Sequence, residues 1–512
     1  MIDIGLDFGM TNTTLCYYDP ESKALTSFKR QAGDSAYIPT VISYGKKTKI
    51  GKAAKNDVGK PETYSNFKLH LGSEFHTAGE GQSRTYGEAA KDYIKQLLEQ
   101  FEAENGEIGQ IVMTIPEAWY REASNLTARE NIQSIFQEIG RKNVRFQSEP
   151  VAAAAYYCFH QKEKKMQEKL LIVDFGGGTL DVTVCEIQKG RLVRVKDSCG
   201  VGEDLGRSGC GGSAFDREVI ELLCREQGIT CSEKEKRIAI DELERFLIED
   251  EESVSELMND YYLFPEGMED EVLFTLNSLG EIDVCCKHLQ QAFDKVNRPA
   301  LEKAIGQMKG QSDLVDPELK IALVGGFSKF CCVEAAVKEL LAGDSGAADS
   351  RFVSLFSGEN RALAVAKGAA LISEGQIAVE PVFPYELGMI MGRVDEDFRY
   401  HAVDIRLIEK GQKIDAYAQP VYAETAAEVC LTGMDRIFAR MYMKNGTERV
   451  VFALDETVKD MFPLEDGGNT FHIGLSVDHN MIPVLWTKGE RGSTKHYPLN
   501  RLLEKILIRK RG

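Results

Sequence analysis

Residues 171–181 read LIVDFGGGTLD, an apolar segment that runs into three successive glycines. The pattern predicts a strand over Leu170–Phe175 and a second strand over Thr179–Ile187, with residues 176–178 as the turn between them. Adjacent glycines are costly in backbone entropy, and they are useful where the backbone must approach a ligand closely. Asp174 ends the first strand, so we interpret the hairpin as part of a phosphate site rather than as a tight turn with solvated aspartates.

A similar hairpin is predicted at the start of the chain, where residues 5–12 read GLDFGMTN between strands at Ile2–Phe8 and Thr13–Tyr18. A turn this rich in small and polar residues can aim several backbone N–H groups at a phosphate, and Asp7 can hold Mg²⁺ through water. Asp7 and Asp174 occupy matching strand ends. Two carboxylates that flank a phosphate-sized gap repel each other unless a cation joins them.

A third glycine turn lies in residues 322–329, which read ALVGGFSK. A strand predicted over Ile321–Val324 enters the double glycine, and a helix predicted over Phe330–Leu341 follows it. This arrangement suits close contact with a nucleoside face or with a phosphate near the start of a helix. The double glycine alone is a weak signal, but the three turns in this order are much more specific.

The elements around these turns repeat one order of strand, turn, strand and following helices, which predicts an α/β fold of two related lobes. We expect residues 1–375 to form this fold, with lobe I over about 1–168 and lobe II over about 169–375. Further strands are predicted at Ile111–Ile115 and Val144–Gln147, with strand-like stretches in Tyr262–Thr275. Helices are predicted at Ala89–Glu104, Ser124–Ile139, Pro150–His160, Phe215–Gln227, Ile238–Glu252, Gln290–Met308 with a break at Pro299, and Ala362–Ser373.

The pattern changes from about Glu380, where short alternating runs are separated by turns that contain glycine, asparagine or aspartate. This predicts an antiparallel β-domain over residues 384–512, preceded by an apolar linker at 376–383 that can dock on a neighbour. A short, basic, amphipathic helix is expected at Asn500–Lys510. The strand-like runs are Glu428–Leu431, Val450–Leu454, Thr470–Val477 and Ile482–Thr487.

The composition excludes several classes of protein. The 512 residues are 43% hydrophobic and 28% charged, which is ordinary for a globular chain, and the net charge of −18 argues against a nucleic-acid partner. The 12 cysteines contain no C-x-x-C spacing and the 8 histidines are scattered, so we expect reduced thiols and no metal other than Mg²⁺. No apolar run approaches the roughly 20 residues of a membrane span and no signal peptide is evident, so we expect a cytoplasmic protein.

The three glycine turns resemble, in order, the phosphate-one, phosphate-two and adenosine motifs of the actin-like ATPase superfamily. The chain is most similar to the seventy-kilodalton heat-shock chaperone branch, whose pattern is matched by Phe67–Gly72 (FKLHLG), Thr114–Pro116 (TIP), Gln147–Ala154 (QSEPVAAA) and Arg361–Leu371 (RALAVAKGAAL). A weaker resemblance continues into Val379–Gly388 and Leu475–Val484. It implies a two-lobed actin-like ATPase fold followed by a β-sandwich-like domain, in a member without room for the family's helical lid.

The resemblance implies ATP or ADP and Mg²⁺ as cofactors, and it assigns roles by matched position. Asp7 and Asp174 would position hydrated Mg²⁺. Lys68 would contact the γ-phosphate and the attacking water, Glu149 would orient that water or the Mg²⁺ shell, and Asp181 would accept its proton. The nucleotide would be cradled by Gly9, Met10, Thr11, Gly176, Gly177, Gly178 and Thr179, of which Thr179 also belongs to the catalytic set, and by Gly325 and Gly326 at the adenosine.

Four places depart from the family's pattern. Met10 replaces a small hydroxyl residue near the γ-phosphate, and because a thioether donates no hydrogen bond, this change bears on hydrolysis more than on binding. Residues 251–252 are glutamates near the place of a basic pair that clamps adenine, which puts the preference for adenine in question. Residues 124–125 fall where a relay arginine is expected, and Ala362 replaces an acidic residue.

Two functions remain open from the sequence. The first is a chaperone-like, slow Mg²⁺-dependent ATPase whose β-domain binds an extended or unfolded polypeptide. The second is a nucleotide-sensing interaction module with little or no hydrolysis, which presents its β-domain to a dedicated protein partner. A small-molecule kinase shares the two lobes, but such an enzyme gives no role to the β-domain.

Overall fold

The computed structural model describes residues 1–31, 33–72, 74–79, 81–117, 126–161, 166–189, 191–201, 209–310, 312–341, 350–383, 385–394, 399–424, 427–428, 436–445, 448–464, 470–477 and 482–499. They fall into two compact units, one formed by Met1–Ala118 and Ala128–Val379 and the other from Glu380 onward. The expectations for residues 124–125 and for the helix at 500–510 lie outside the described residues, as do residues 478–481 of the weaker match at Leu475–Val484.

The first unit begins with a mixed six-stranded sheet and a small three-stranded sheet. Their strands are β1 (Ile2–Phe8), β2 (Asn12–Asp19), β3 (Ala24–Ser27), β4 (Ile38–Pro39), β5 (Val41–Ser43), β6 (Lys49–Ile50), β7 (Thr63–Ser65), β8 (Ile108–Ile115) and β9 (Val144–Ser148). The large sheet has the order β3–β2–β1–β8–β9 with β4 beside β2, and the small one has the order β6–β5–β7. β1 is antiparallel to β2 and parallel to β8, so its carboxyl end lies beside that of β8.

A second, five-stranded sheet repeats this local arrangement. The next strands are β10 (Gln167–Phe175), β11 (Leu180–Gln188), β12 (Leu192–Val201), β13 (Val272–Leu276), β14 (Ile282–Cys285), β15 (Lys320–Val324) and β16 (Ala378–Val379). The sheet has the order β15–β10–β11–β12–β16, and β13 and β14 form a separate hairpin. β10 is antiparallel to β11 and parallel to β15, as β1 is to β2 and β8. Asp7 and Asp174 therefore stand at corresponding places in two sheets.

Helices surround both sheets. They are α1 (Lys52–Lys55), α2 (Tyr86–Asn105), α3 (Leu126–Glu138), α4 (Glu149–His160), α5 (Gly212–Glu226), α6 (Glu233–Glu249), α7 (Glu251–Leu263), α8 (Cys286–Ala292), α9 (Arg298–Lys309), α10 (Cys331–Leu341) and α11 (Glu359–Ser373). The prediction of one helix over Ile238–Glu252 was wrong, because α6 ends and α7 begins on either side of Asp250. The expected break at Pro299 was wrong, because a π-helical turn over Phe293–Asn297 leads directly into α9 and the proline lies in the first turn of that helix.

Small residues let two helices and a strand approach closely. A Cβ built on Gly368 of α11 would lie 1.7 Å from the carbonyl oxygen of Ala152 in α4, and one built on Gly5 of β1 would lie 2.3 Å from the backbone nitrogen of Ala370. Residues 151–158 of α4 are all buried. Because α11 packs directly on β1, the small side chains fix the strand that carries Asp7.

The second unit is built of antiparallel strands. They are β17 (Glu386–Val394), β18 (Tyr400–Ile408), β19 (Val421–Tyr422), β20 (Ala427–Glu428), β21 (Arg436–Asn445), β22 (Glu448–Thr457), β23 (Thr470–Val477), β24 (Pro483–Gly489) and β25 (Thr494–Pro498), with the short helix α12 (Val458–Met461). One sheet has the order β18–β17–β21–β22, and the other has β19–β23–β24–β25 with β20 beside β23. Buried residues of both sheets, among them Leu387, Met441 and Leu475, share one hydrophobic core.

Within the part of the chain that the structure describes, we find no helix with the length and apolar character that crossing a membrane requires.

Candidate functional site

Two aspartates mark the centre of the candidate site. Asp7 lies opposite Thr14 on β2 and beside Thr114 on β8, while Asp174 lies opposite Asp181 on β11 and beside Val324 on β15. Each aspartate is the last residue but one of its strand and precedes a buried phenylalanine. The repeated pairing of the two strands thus brings a carboxylate to the mouth of each glycine turn.

Asp7 is held in an acidic environment. The Thr114 hydroxyl donates a hydrogen bond to Asp7 Oδ1 at 3.1 Å. The pKa of Asp7 is raised to about 7, chiefly by burial and next by the negative charge of Glu149, while Lys68 and the hydrogen bond from Thr114 act in the opposite direction. The protein alone therefore does not fully compensate the charge on Asp7.

Lys68 and Glu149 form a nearly buried ion pair beside these carboxylates. Lys68 lies in a 3-10 turn over Phe67–His70 and is 7% exposed, and its Nζ lies 3.1 Å from Oε1 of Glu149, the first residue of α4. Asn131 of α3 supports the loop that carries the lysine, since its side-chain amide donates to the carbonyl oxygens of Leu71 and Gly72 at 2.6 and 3.2 Å. Residues 81 positions apart thereby form one charged cluster.

Asp174 and Asp181 face each other across the second hairpin. They are 6% and 1% exposed. The pKa of Asp174 is raised well above its ordinary value, first by burial and then by the negative charges of Glu149, Asp181 and Asp7, against which Lys68 acts. Among the residues that the structure describes in this cluster, four carboxylates lie beside one lysine, an arrangement that favours a bound cation.

The glycine turn at residues 9–11, the first in the chain, and the turn at residues 176–178, the second, lie against each other. A Cβ built on Gly177 would lie 2.6 Å from Thr11 Oγ1, and one built on Gly178 would lie 2.9 Å from the sulfur of Met10. Met10 is only 6% exposed. Its thioether therefore occupies space between the two turns and shields part of the second turn.

Two supports hold these turns in place. The Thr40 hydroxyl donates to the Gly9 carbonyl oxygen at 3.0 Å. The start of α5 braces the second turn, because the backbone N–H of Gly212 donates to the Gly176 carbonyl oxygen at 3.2 Å and that of Ser213 donates to Gly177 at 2.8 Å. The turn is closed by a hydrogen bond from the Gly176 N–H to the carbonyl oxygen of Thr179 at 3.1 Å.

The third glycine turn touches the same cluster. Gly325 has a φ of 87°, and a Cβ there would lie 2.5 Å from Asp174 Oδ1, so glycine is required on both counts. A Cβ on the neighbouring Gly326 would have no described heavy atom within 4 Å. Gly326 thus offers an open face next to Gly325.

One lysine near this turn was not singled out from the sequence. Lys329 lies in the 3-10 turn after Gly326, and its Nζ is 3.0 Å from Oε2 of Glu251 in the first turn of α7. It also lies 5.9 Å from the centre of the Tyr37 ring. The glutamate expected near the base is therefore paired with a cation, which no local sequence pattern indicates because the two residues are 78 positions apart.

The acidic cluster suits a hydrated Mg²⁺ bound together with a phosphate better than an ion held by protein side chains alone. Carboxylate oxygens are the ligands that Mg²⁺ prefers. Among the residues that the structure describes, no group of three or more acidic, histidine or cysteine side chains could hold an ion by itself. Mg²⁺ commonly keeps several waters and takes one or two carboxylates together with substrate phosphates. Asp7 and Asp174 therefore suit a hydrated Mg²⁺ that arrives with a phosphate ligand.

Every predicted site residue lies in the first unit, and several lie in direct contact. Lys68 reaches Glu149, Gly325 adjoins Asp174, and the turn at 9–11 adjoins the turn at 176–178. Sequence reasoning did not find the supports Thr40, Asn131 and Lys329, since each acts through a residue distant in sequence. The arrangement can bind a phosphorylated ligand with a divalent cation and can hold a water between charged side chains.

Comparison with known proteins agrees with this arrangement. A family model described as "Hsp70 protein" matches residues 80–380. The "Chaperone protein DnaK" of Thermosipho africanus (strain TCF52B) is 25% identical over 385 residues, which cover 72% of this chain and 58% of that relative. The similarity thus spans less than two thirds of the relative's own length.

Proposed function

Since the chain belongs to the Hsp70 family, we propose that it is a chaperone-like protein that binds ATP with Mg²⁺ in the first unit and hydrolyses it slowly. The observation that carries this proposal is the cluster of Asp7, Asp174 and the Lys68–Glu149 ion pair beside two apposed glycine turns. Carboxylates next to the backbone of glycine turns are the arrangement that a metal–phosphate ligand requires.

In this proposal the nucleotide binds along the three glycine turns. Backbone N–H groups of Gly9, Thr11 and residues 177–178 hold the β- and γ-phosphates, and the open face of Gly326 receives the adenosine. Asp7 and Asp174 position Mg²⁺ through its water shell. When bound, Mg²⁺ neutralises charge on the phosphate oxygens.

The chain's own residues then act on the water that attacks the γ-phosphate. Lys68 donates a hydrogen bond to a γ-phosphate oxygen, while its partner Glu149 keeps the ammonium group in place and orients the water. Asp181 accepts the proton that the water releases, because its position opposite Asp174 lies at the mouth of the turn. Thr179 contributes a hydroxyl donor at the end of the same turn.

Met10 makes the expected turnover slow. A hydroxyl residue at this place would donate a hydrogen bond to the developing phosphate charge, whereas the thioether donates none. Its sulfur also lies close to the position that a Cβ on Gly178 would occupy, so the second turn is crowded there. Binding through backbone N–H groups is compatible with this side chain.

We assign polypeptide binding to the second unit. One of its sheets has two short strands, β19 (Val421–Tyr422) and β20 (Ala427–Glu428), and both pair with β23. Val421 is an exposed large apolar residue. An extended polypeptide can add to the edge of a sheet through main-chain hydrogen bonds. We also place the protein in the cytoplasm, in line with cysteines that show no spacing typical of secreted disulfide frameworks.

A second function is favoured by the same Met10 contact. If the thioether abolishes turnover, the protein is a nucleotide-sensing module that presents its second unit to one dedicated partner. The two functions differ in whether phosphate is released in the presence of Mg²⁺.

Phosphate release from ATP tests the proposal. We expect slow, Mg²⁺-dependent release by the full chain and a loss of about 100-fold or more in Glu149→Gln, because the lysine loses its ionic partner and the water its orienting oxygen. Glu168→Gln is a matched control, since Glu168 accepts a hydrogen bond from Tyr157 and takes no part in the cluster. Tight ATP binding without release by the wild type would favour the sensing module, and absence of both would refute the nucleotide site.

A further inference from the structure

Two cysteine thiols outside the nucleotide site lie almost within bonding distance. Cys224 is in the last turn of α5, and Cys231 directly precedes Ser232, the N-cap of α6. Their sulfur atoms are 3.0 Å apart and both residues are reduced. A disulfide requires a separation of about 2.05 Å, so a movement of about 1 Å would join them.

The fold itself brings the two thiols together. After α5 ends at Glu226, the chain reverses at Gly228, which has a φ of 65°. The N–H of Ile229 donates to the carbonyl oxygen of Cys224 at 2.8 Å, and this bond turns the chain back along the helix end. The cap at Ser232 then fixes the start of α6. Cys231 is therefore held beside Cys224 by regular helix-end geometry.

The two thiols differ in reactivity. Cys224 is 6% exposed, and burial together with the hydrogen bond to Cys231 raises its pKa to about 11. Cys231 is partly exposed, so a small oxidant can reach its sulfur. The positive charge of Lys236 lowers the pKa of Cys224 and the negative charge of Glu221 raises it, and both act less than burial. The accessible Cys231 is thus suited to attack an oxidant, and the buried Cys224 is suited to complete the bond.

We propose that Cys224 and Cys231 form a reversible redox site that reacts with peroxides. The Cys231 thiolate attacks one peroxide oxygen, the O–O bond breaks, and the cysteine becomes a sulfenic acid while the other oxygen leaves as water or an alcohol. The Cys224 sulfur then attacks the Cys231 sulfur, its proton and the sulfenic hydroxyl leave as water, and the S–S bond forms. The two thiols lose two electrons and the peroxide gains them.

The bond would link α5, which begins at the second glycine turn, to α6. α5 begins where Ser213 donates to the second glycine turn, and α6 carries Glu244, whose carboxylate lies 2.9 Å from Lys55 Nζ. Oxidation would therefore join the far end of α5 to the start of α6. The redox chemistry of the pair does not depend on the nucleotide proposal.

The adjacent cysteines provide an internal comparison. Cys285–Cys286 and Cys331–Cys332 are neighbours in sequence. Neighbouring Cα atoms are only about 3.8 Å apart, below the roughly 4.4 Å minimum for an unstrained disulfide. We therefore expect these pairs to resist intramolecular oxidation under conditions that oxidise Cys224 and Cys231.

Peptide mapping of the full chain tests the site. The protein is treated with a small excess of hydrogen peroxide, quenched with N-ethylmaleimide and digested without reductant. We expect a Cys224–Cys231 cross-link that forms at least about tenfold faster than any change at Cys285–Cys286 and that dithiothreitol reverses. In Cys231→Ser the cross-link is lost and Cys224 stays open to alkylation after denaturation, while Cys285→Ser, the matched control, retains the cross-link.

Two results would overturn the proposal. One is undiminished alkylation of both Cys224 and Cys231, measured after denaturation, at every peroxide dose that oxidises the other cysteines. The other is oxidation of Cys231 beyond the sulfenic acid without any cross-link, which would mean that Cys224 does not reach it. Circular dichroism of each variant establishes that the chain is folded. Wild-type protein in glutathione buffers of graded potential gives a second readout, in which we expect the same cross-link.

Discussion

Asp7→Asn should stabilise the ligand-free protein, even though it removes a residue that we assign to the nucleotide site. The pKa of Asp7 rises from 3.8 to about 7 on folding, chiefly because the carboxyl is buried next to other acids. As the pH rises from about 4 to about 7, the unfolded chain therefore ionises first, and the wild type loses as much as about 4 kcal/mol of unfolding free energy. The asparagine does not ionise, and its amide oxygen can still accept the hydrogen bond from Thr114.

Thermal unfolding in EDTA without nucleotide measures this effect. At pH 8 we expect the melting temperature of the first unit to rise by up to about 5 °C in Asp7→Asn, and at pH 4.5 we expect the gain to be nearly absent. Asp270→Asn is the control, because Asp270 is exposed and the Lys287 ammonium lowers its pKa, so this change brings no gain. A variant that is no more stable than the wild type at pH 8, or a gain independent of pH, would refute the account of the acidic cluster.

Three other substitutions test separate parts of the site and the fold. Lys68→Met should lower phosphate release about 100-fold or more while calorimetry still detects ATP, since the ammonium group acts on the γ-phosphate; an unchanged rate would exclude its role. Met10→Thr should raise the rate of phosphate release about tenfold or more, because it restores a donor between the two turns; a rate equal to that of the wild type would show that Met10 does not limit turnover. Gly368→Ala should lower the unfolding free energy by about 3 kcal/mol or more, because its Cβ would lie 1.7 Å from the Ala152 carbonyl oxygen. Gly306→Ala is the control: no described atom lies within 4 Å of the new Cβ, so this change should not lower the unfolding free energy.

The strands were predicted most accurately where the apolar residues follow a single regular spacing. The strand over Ile2–Phe8 and the strand over Thr470–Val477 were predicted with the bounds that the structure has, because apolar residues and flanking turns mark both ends. β12 (Leu192–Val201) was not predicted, since charged residues interrupt its apolar positions. Tyr262–Thr275 was interpreted as strand-like, but α7 continues to Leu263 and a strand begins only at Val272.

The candidate site likewise contains parts that local sequence patterns predict and parts that they do not. Glycine turns and strand-end aspartates are local patterns, and the sequence places them correctly at the ends of β1 and β10. The partners that set the charge of the site come from distant segments, as with Lys329 and Glu251. The side-chain amide of Asn131, which supports the Lys68 loop, could not be predicted from the local sequence either. Helix periodicity predicts which face of the helix a residue lies on, but not which loop packs against that face.

Calorimetric titration of the full chain with Mg-ATP, compared with Asp174→Asn, tests the central claim most directly. The account predicts binding by the wild type and loss of binding by about 100-fold or more in the variant, because Asp174 adjoins Gly325 and we propose that it positions Mg²⁺. The absence of heat with the wild type, or equal affinity of the two proteins, would contradict it.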